Sequence, residues 1–180
     1  LGNLQVSILT ALSIFNVALF DILPNGINEN NGEMMILKII LFYAAFAFMI
    51  TFIREMIKDL EDIEGDKKIK ANTIAITLGI EKTKWVSLIL TIFTFLGTVY
   101  FQYFQYSITT SEFEYDIFIW GVNKISIIYV IFIQFLFLFL SFRIYNSKIK
   151  NHFYFISQLC KVIMIVGILS IPLFTHLHLK

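Results

Sequence analysis

Five apolar runs alternate with polar stretches along this chain, at about residues 4–23, 34–53, 85–106, 122–142 and 153–175. Each is close to the ~20 residues that a bilayer core requires of a helix. None alternates apolar and polar residues with the period of two that a barrel strand needs. Backbone groups in hydrocarbon must pair within their own segment, so each run predicts a transmembrane helix. The pattern as a whole predicts an all-α, polytopic membrane helix bundle that forms a single membrane domain over residues 1–180. The second run reads on without a helix-breaking residue into a polar stretch, residues 54–84, where Gly65 is the expected point of bending or closure. Further on, Ile74-Ala75-Ile76 predicts a short segment docked at the membrane surface.

Composition agrees: 58% of the residues are hydrophobic and the mean hydropathy is +0.78, which excludes an ordinary soluble domain of this length. Net charge is only +1, but its placement is informative. Seven of the fourteen Lys and Arg fall between Arg54 and Lys84 and three between Arg143 and Lys150, whereas the alternate loops carry none. By the positive-inside rule both basic loops are expected in the cytoplasm, in a multi-pass protein of the cell membrane. The acidic stretch with Glu112, Glu114 and Asp116 is expected outside. The first span starts close to Leu1 with no charged leader segment, which gives the expectation of a fragment of a longer protein.

Few residues within the spans carry chemistry. Asn16, Gln102, Gln105, Gln134 and Gln158 are expected to hydrogen-bond between helices. Cys160 is the single cysteine, so there is no disulfide framework, and a packed thiol is expected. The three histidines lack metal-ligand spacing. No phosphate-cradling glycine loop, nucleophile arrangement or nucleic-acid signature is present.

The exception is the junction after the second span, Arg54-Glu55-Met56-Ile57-Lys58-Asp59-Leu60-Glu61-Asp62-Ile63-Glu64-Gly65-Asp66. On a helix, Asp62 and Asp66 lie about 40° apart and Asp59 within about 60° of both. Glu55 joins the same face. Stacked like charges repel, and near a helix C-terminus they also meet the negative end of the macrodipole, so local physics disfavours the arrangement and a bound cation would reverse the sign, the alternative being a solvated acidic helix end. Mg²⁺ suits such a face, because it takes one or two protein carboxylates and leaves its remaining positions to phosphate and water. A metal-bound diphosphate is the natural ligand.

This stretch, together with Thr73-Ile74-Ala75-Ile76 and Leu78-Gly79, resembles the UbiA superfamily of intramembrane prenyltransferases. The match is to that family's second Asp-rich motif. DxxxD falls on Asp62 and Asp66, and Asp59 matches the additional member found in the branch that acts on glycerol-phosphate lipids. The resemblance implies a nine-helix fold whose helices five to nine correspond to the five spans here, with the first Asp-rich motif lying elsewhere and this chain inactive by itself. It implies Mg²⁺ bound by Asp62 and Asp66 with Asp59, and an isoprenyl diphosphate contacted by Lys58, Lys70 and Arg54. The allylic group would pass to a geranylgeranylglycerol-phosphate-type acceptor or to an aromatic one such as 4-hydroxybenzoate, within membrane lipid. Two positions depart from the pattern: Lys70 stands where Gly is usual, and Asn72 where Lys or Arg precedes the Thr.

Two other readings compete. A CDP-alcohol phosphotransferase also uses aspartates at a membrane surface, but its Ala-Arg pair and further spaced aspartates are missing. The other is a noncatalytic membrane protein: a channel or transporter part predicts ionisable groups at mid-membrane, whereas these carboxylates cluster at one end of a span, and a noncatalytic partner or degenerate paralogue is left to be separated by the sequence encoded upstream of Leu1.

Overall fold

A computed structural model describes residues 2–22, 33–111 and 123–178, and every regular element among them is helical. In chain order these are α1 (Gly2–Val17), continued by a π-helical turn over Ala18–Ile22, then α2 (Glu33–Glu61), α3 (Ile63–Lys68), α4 (Ile74–Leu78), α5 (Ile80–Ser111), α6 (Lys124–Tyr145) and α7 (Lys150–His178). Five of them are long and apolar enough to cross a membrane, as the hydrophobic runs predict. The loop before Glu33, most of the acidic stretch near Glu112 and the side chain of Gln105 lie outside the described residues.

Contacts divide the chain into two units, Leu1–Phe52 and Ile53–Lys180. In the first unit, α1 presents mostly exposed aliphatic side chains, as a lipid-facing helix does. Its hydroxyls turn back on the helix: Ser7, Thr10 and Ser13 donate to the carbonyls of Asn3, Val6 and Leu9 at 2.7, 2.9 and 2.8 Å. Asn16 is exposed in this unit.

The second unit is built on α5, α6 and α7, with α5 packed on α6 and α6 on α7. Its core contains Phe137, Leu140 and Ile144 of α6 and Ile156, Cys160 and Ile163 of α7, all fully buried. Cys160 is the packed free thiol expected from the sequence. On α5, Thr83, Ser87, Thr91, Thr94 and Thr98 form a buried seam of small side chains at helical spacing. Small side chains let helix backbones approach in lipid, where no hydrophobic drive separates one apolar surface from another. The hydroxyls stay satisfied because Thr83 donates to the Gly79 carbonyl just before α5 and the other four donate to carbonyls about one turn back on α5 itself, at 2.7–2.9 Å.

Two side-chain bonds tie the bundle together at depth. Gln134 Nε2 donates to Gln102 Oε1 at 2.8 Å, joining α6 to α5, which bears out the interhelical role for these two glutamines. The Tyr129 hydroxyl donates to the Val166 carbonyl at 2.7 Å, joining α6 to α7. At one end, Lys84 Nζ donates to the Ser147 carbonyl at 3.1 Å. The two basic loops therefore lie at the same end of this unit.

Candidate functional site

The last turns of α2 are aimed by their apolar residues. Ile53, Met56, Ile57 and Leu60 recur at i, i+3, i+4 and i+7, and each is at most 2% exposed. On a regular helix the face of Glu55, Asp59, Asp62 and Asp66 lies about 140° around from that stripe. Burial of the stripe thus turns the carboxylates away from the packed side of α2.

The helix ladder runs almost unbroken through the acidic stretch. The Asp62 N–H donates to the Lys58 carbonyl at 3.0 Å, and the Asp66 N–H donates to the Asp62 carbonyl at 3.0 Å. Asp62 itself has φ −97° and ψ 7°, leaves the ladder locally irregular, and makes no side-chain capping bond. Asp62 and Asp66 consequently stand one turn apart, as the spacing predicts. Both are half-buried, as is Asp59, and neither Asp62 nor Asp66 has a cationic partner.

Gly65 behaves otherwise than expected. It lies inside α3, and the left-handed residue that closes this helix is Lys70, with φ 54°. The Ala71 N–H donates to the Asp66 carbonyl at 2.9 Å and the Lys70 N–H to the Lys67 carbonyl at 3.3 Å. This bond pair is a Schellman closure with Lys70 at the position that most often carries glycine. The departure from the family pattern at Lys70 is therefore a departure in turn chemistry. Asp66 sits in the last turn of α3, its carbonyl held by that closure.

The remaining predicted residues are distributed around this helix end. Arg54 pairs with Glu55, and its Nε is buried without a hydrogen-bond partner. Lys58 and Lys70 are exposed. Among the described residues no three His, Cys, Asp or Glu side chains converge closely enough to hold an ion by themselves. The donor set still fits a hard divalent cation, because two carboxylates free of other partners on successive turns match the one or two protein oxygens that Mg²⁺ takes.

Beyond the closure, Thr73 precedes α4 in an extended conformation, with φ −94° and ψ 164°. Its hydroxyl is buried and unpartnered, while Thr77 donates to Asn72 Oδ1 at 3.0 Å and to the Thr73 carbonyl at 2.9 Å. Gly79, with φ 83°, turns the chain into α5. α4 packs against α3 and α5, as a docked segment should. Two residues escaped the sequence reading as individuals: the orphaned Thr73 hydroxyl, and Arg143, whose guanidinium lies 4.6 Å from the Phe155 ring centre with its Nε buried and unpartnered. Arg143 was visible only as one positive charge among three in its loop; its stacking partner lies on the next helix and has no local signal.

No family profile matches the chain, and no solved structure does. Its sequence is nevertheless similar to several archaeal proteins named digeranylgeranylglyceryl phosphate synthase. It is 31% identical to that of Methanosphaera stadtmanae over 173 residues, 94% of this chain and 52% of the relative. Identity to the Saccharolobus solfataricus protein is 38% over 91 residues, 49% of this chain and 28% of the relative. For Thermococcus sibiricus it is 34% over 101 residues, 55% and 31% respectively. The chain spans about half the length of the first of these curated relatives. Taken with the DxxxD face on its helix end, this whole-chain similarity bears out the resemblance drawn from the motif: the chain is a homologue of archaeal prenyltransferases of the UbiA superfamily.

Proposed function

We propose that this chain supplies one diphosphate-binding half of a membrane prenyltransferase that transfers a geranylgeranyl group from its diphosphate to a glycerol-phosphate ether lipid. The observation that carries the reading is the pair Asp62 and Asp66, stacked one turn apart on a helix end and free of cationic partners. The names of the relatives favour a glycerol-phosphate acceptor over an aromatic one.

Asp62 and Asp66, with Asp59, would hold Mg²⁺, which when bound offsets the charge that develops on the departing diphosphate. Lys58 and Lys70 reach the same anion from the exposed rim, and Arg54 from the side of Glu55. Charge stabilisation of this kind acts where charge develops, and it is strongest where water is excluded. The allylic C–O bond breaks with its electron pair on the diphosphate. The acceptor hydroxyl oxygen forms the new C–O bond and loses its proton. The motif loop faces the cytoplasm in this reading, because the two basic loops share one end of the bundle.

The test has two arms. In the first, the chain in lipid nanodiscs is titrated with geranylgeranyl diphosphate, with Mg²⁺ and with chelator. Metal-dependent binding is expected, and its loss in Asp62→Ala and Asp66→Ala. In the second, the chain is co-expressed with the remainder of the Methanosphaera stadtmanae protein and assayed for ether product. Binding that ignores both chelator and the two substitutions would refute the metal assignment. Product from 4-hydroxybenzoate alone would refute the acceptor.

A further inference from the structure

A groove of about 480 Å³ opens beside the acidic helix end, on a different face from the carboxylates. Ile63 and Lys67 line it from α3, Ala75 and Ile76 from α4, and Ile80 and Lys82 from the start of α5. Its volume falls in the range of small-molecule sites, and its lining is mostly aliphatic. Ala75 is fully buried at the base, whereas Leu78 and Ile80 stay 43% and 44% exposed at the edge. Ile80 is also the first residue of a candidate membrane span, so the groove opens at the level where span gives way to loop.

Charge decides what kind of chain fits there. Lys67 and Lys82 are exposed and make no ion pair, and Glu81, the one acid in the lining, leans toward Lys84 at 4.0 Å. The lining is therefore apolar within and positive at the rim. Basic pockets between helices at a membrane surface bind lipid phosphates in this way, the stem in the apolar part and the head between the cations. On α3, Ile63 and Lys67 lie about a quarter turn from Asp62 and Asp66, which keeps an anion held by Lys67 away from the carboxylates.

We infer that this groove is a binding site for one anionic phospholipid of the bilayer, with a hydrocarbon chain along Ala75 and Ile76 and the phosphate between Lys67 and Lys82. The inference is independent of the prenyl-transfer reading, since none of these six residues belongs to the metal or diphosphate set. Its effect would be to fix α3 and α4 against the membrane surface, and with them the height of the acidic face.

The test is a titration of the chain, in nonionic detergent, with phosphatidylglycerol carrying a fluorescent tail and with phosphatidylcholine carrying the same tail. Phosphatidylglycerol is expected to bind about thirtyfold tighter, and Lys67→Gln/Lys82→Gln to remove that preference, given roughly one kcal/mol for each of the two basic side chains near a phosphate surface and about 1.4 kcal/mol per factor of ten. Lys148→Gln/Lys150→Gln removes the same charge from the other basic loop and should leave the affinity unchanged. Ile76→Trp fills the groove without altering charge and should weaken both lipids, with helicity followed by circular dichroism. Equal loss in the two double variants would reduce the effect to diffuse attraction and overturn the site. So would equal affinity for the two lipids, unaltered binding in Ile76→Trp, or saturation by geranylgeranylglyceryl phosphate but not by phosphatidylglycerol.

Discussion

Replacing Lys70 by glycine tests the closure of α3 and the proposed diphosphate contact in one protein, because the two roles predict changes of opposite sign. Lys70 holds φ 54°, where a side chain crowds the following carbonyl at a cost of about 1–2 kcal/mol. Glycine has no such cost there, but its unfolded state loses about 0.5–1 kcal/mol more on ordering. The difference leaves Lys70→Gly more stable by about 0.5–1 kcal/mol. For a chain of this size that raises the melting midpoint by about 1–4 °C if the loop unfolds with the rest. If the loop opens separately, the gain appears only locally, and hydrogen exchange at the Ala71 amide reads it directly, because that N–H donates to the Asp66 carbonyl across the closure. Its protection should rise by about two- to fivefold. The same substitution removes an ammonium group and should weaken diphosphate binding, whereas Lys70→Asn tolerates the left-handed conformation and separates charge from backbone. Unchanged or reduced protection in the glycine variant would show that Lys70 does not occupy the left-handed region. Unchanged diphosphate affinity in both variants would remove it from the ligand set.

Further outcomes follow from other features. Asp62→Ala and Asp66→Ala should abolish metal-dependent diphosphate binding without changing helicity, while Asp59→Ala should weaken it and Glu64→Ala, on an exposed position, should leave it alone; calorimetric titration ranks the four. A double-mutant cycle over Gln102→Leu and Gln134→Leu should give a coupling of about 0.6 kcal/mol, the average for such bonds in membranes, measured by reversible unfolding in detergent. Phe137→Ala empties a fully buried position between packed helices and should cost about 3–5 kcal/mol in the same assay.

Legibility of the fold followed the range of each interaction. The five spans depend on length and apolarity alone, both local properties, and they could be read directly. The continuation of α2 into the acidic face depends on an i, i+4 ladder, also local, and Asp62 and Asp66 stand where that spacing places them. Closure of α3 could not be read in the same way, because glycine at position 65 permits a left-handed turn without compelling one. The turn falls where two backbone bonds can be made, at Lys70, against the intrinsic preference of its side chain. The hydroxyl seam of α5 was spelled out at spacings of four, four, three and four residues, yet it was masked by the aromatic and aliphatic residues between. Its meaning depends on the facing surface of α6. The groove beside α3 needed three separate elements to meet and had no signature in any one of them.

One dimension of α2 has a physiological consequence. Its 29 residues extend about 43 Å, against a hydrocarbon thickness of roughly 30 Å. In a bilayer, a helix of that length leaves its charged last turns, with Glu55, Asp59 and Glu61, outside the hydrocarbon, and Asp62 and Asp66 follow at the N-cap and within α3. Thinning or thickening the membrane, or tilting the helix to relieve the mismatch, displaces that charged tip relative to the surface by ångströms. On the proposed function, the height of the carboxylates would then follow bilayer thickness, so that lipid chain length would act on diphosphate binding mechanically.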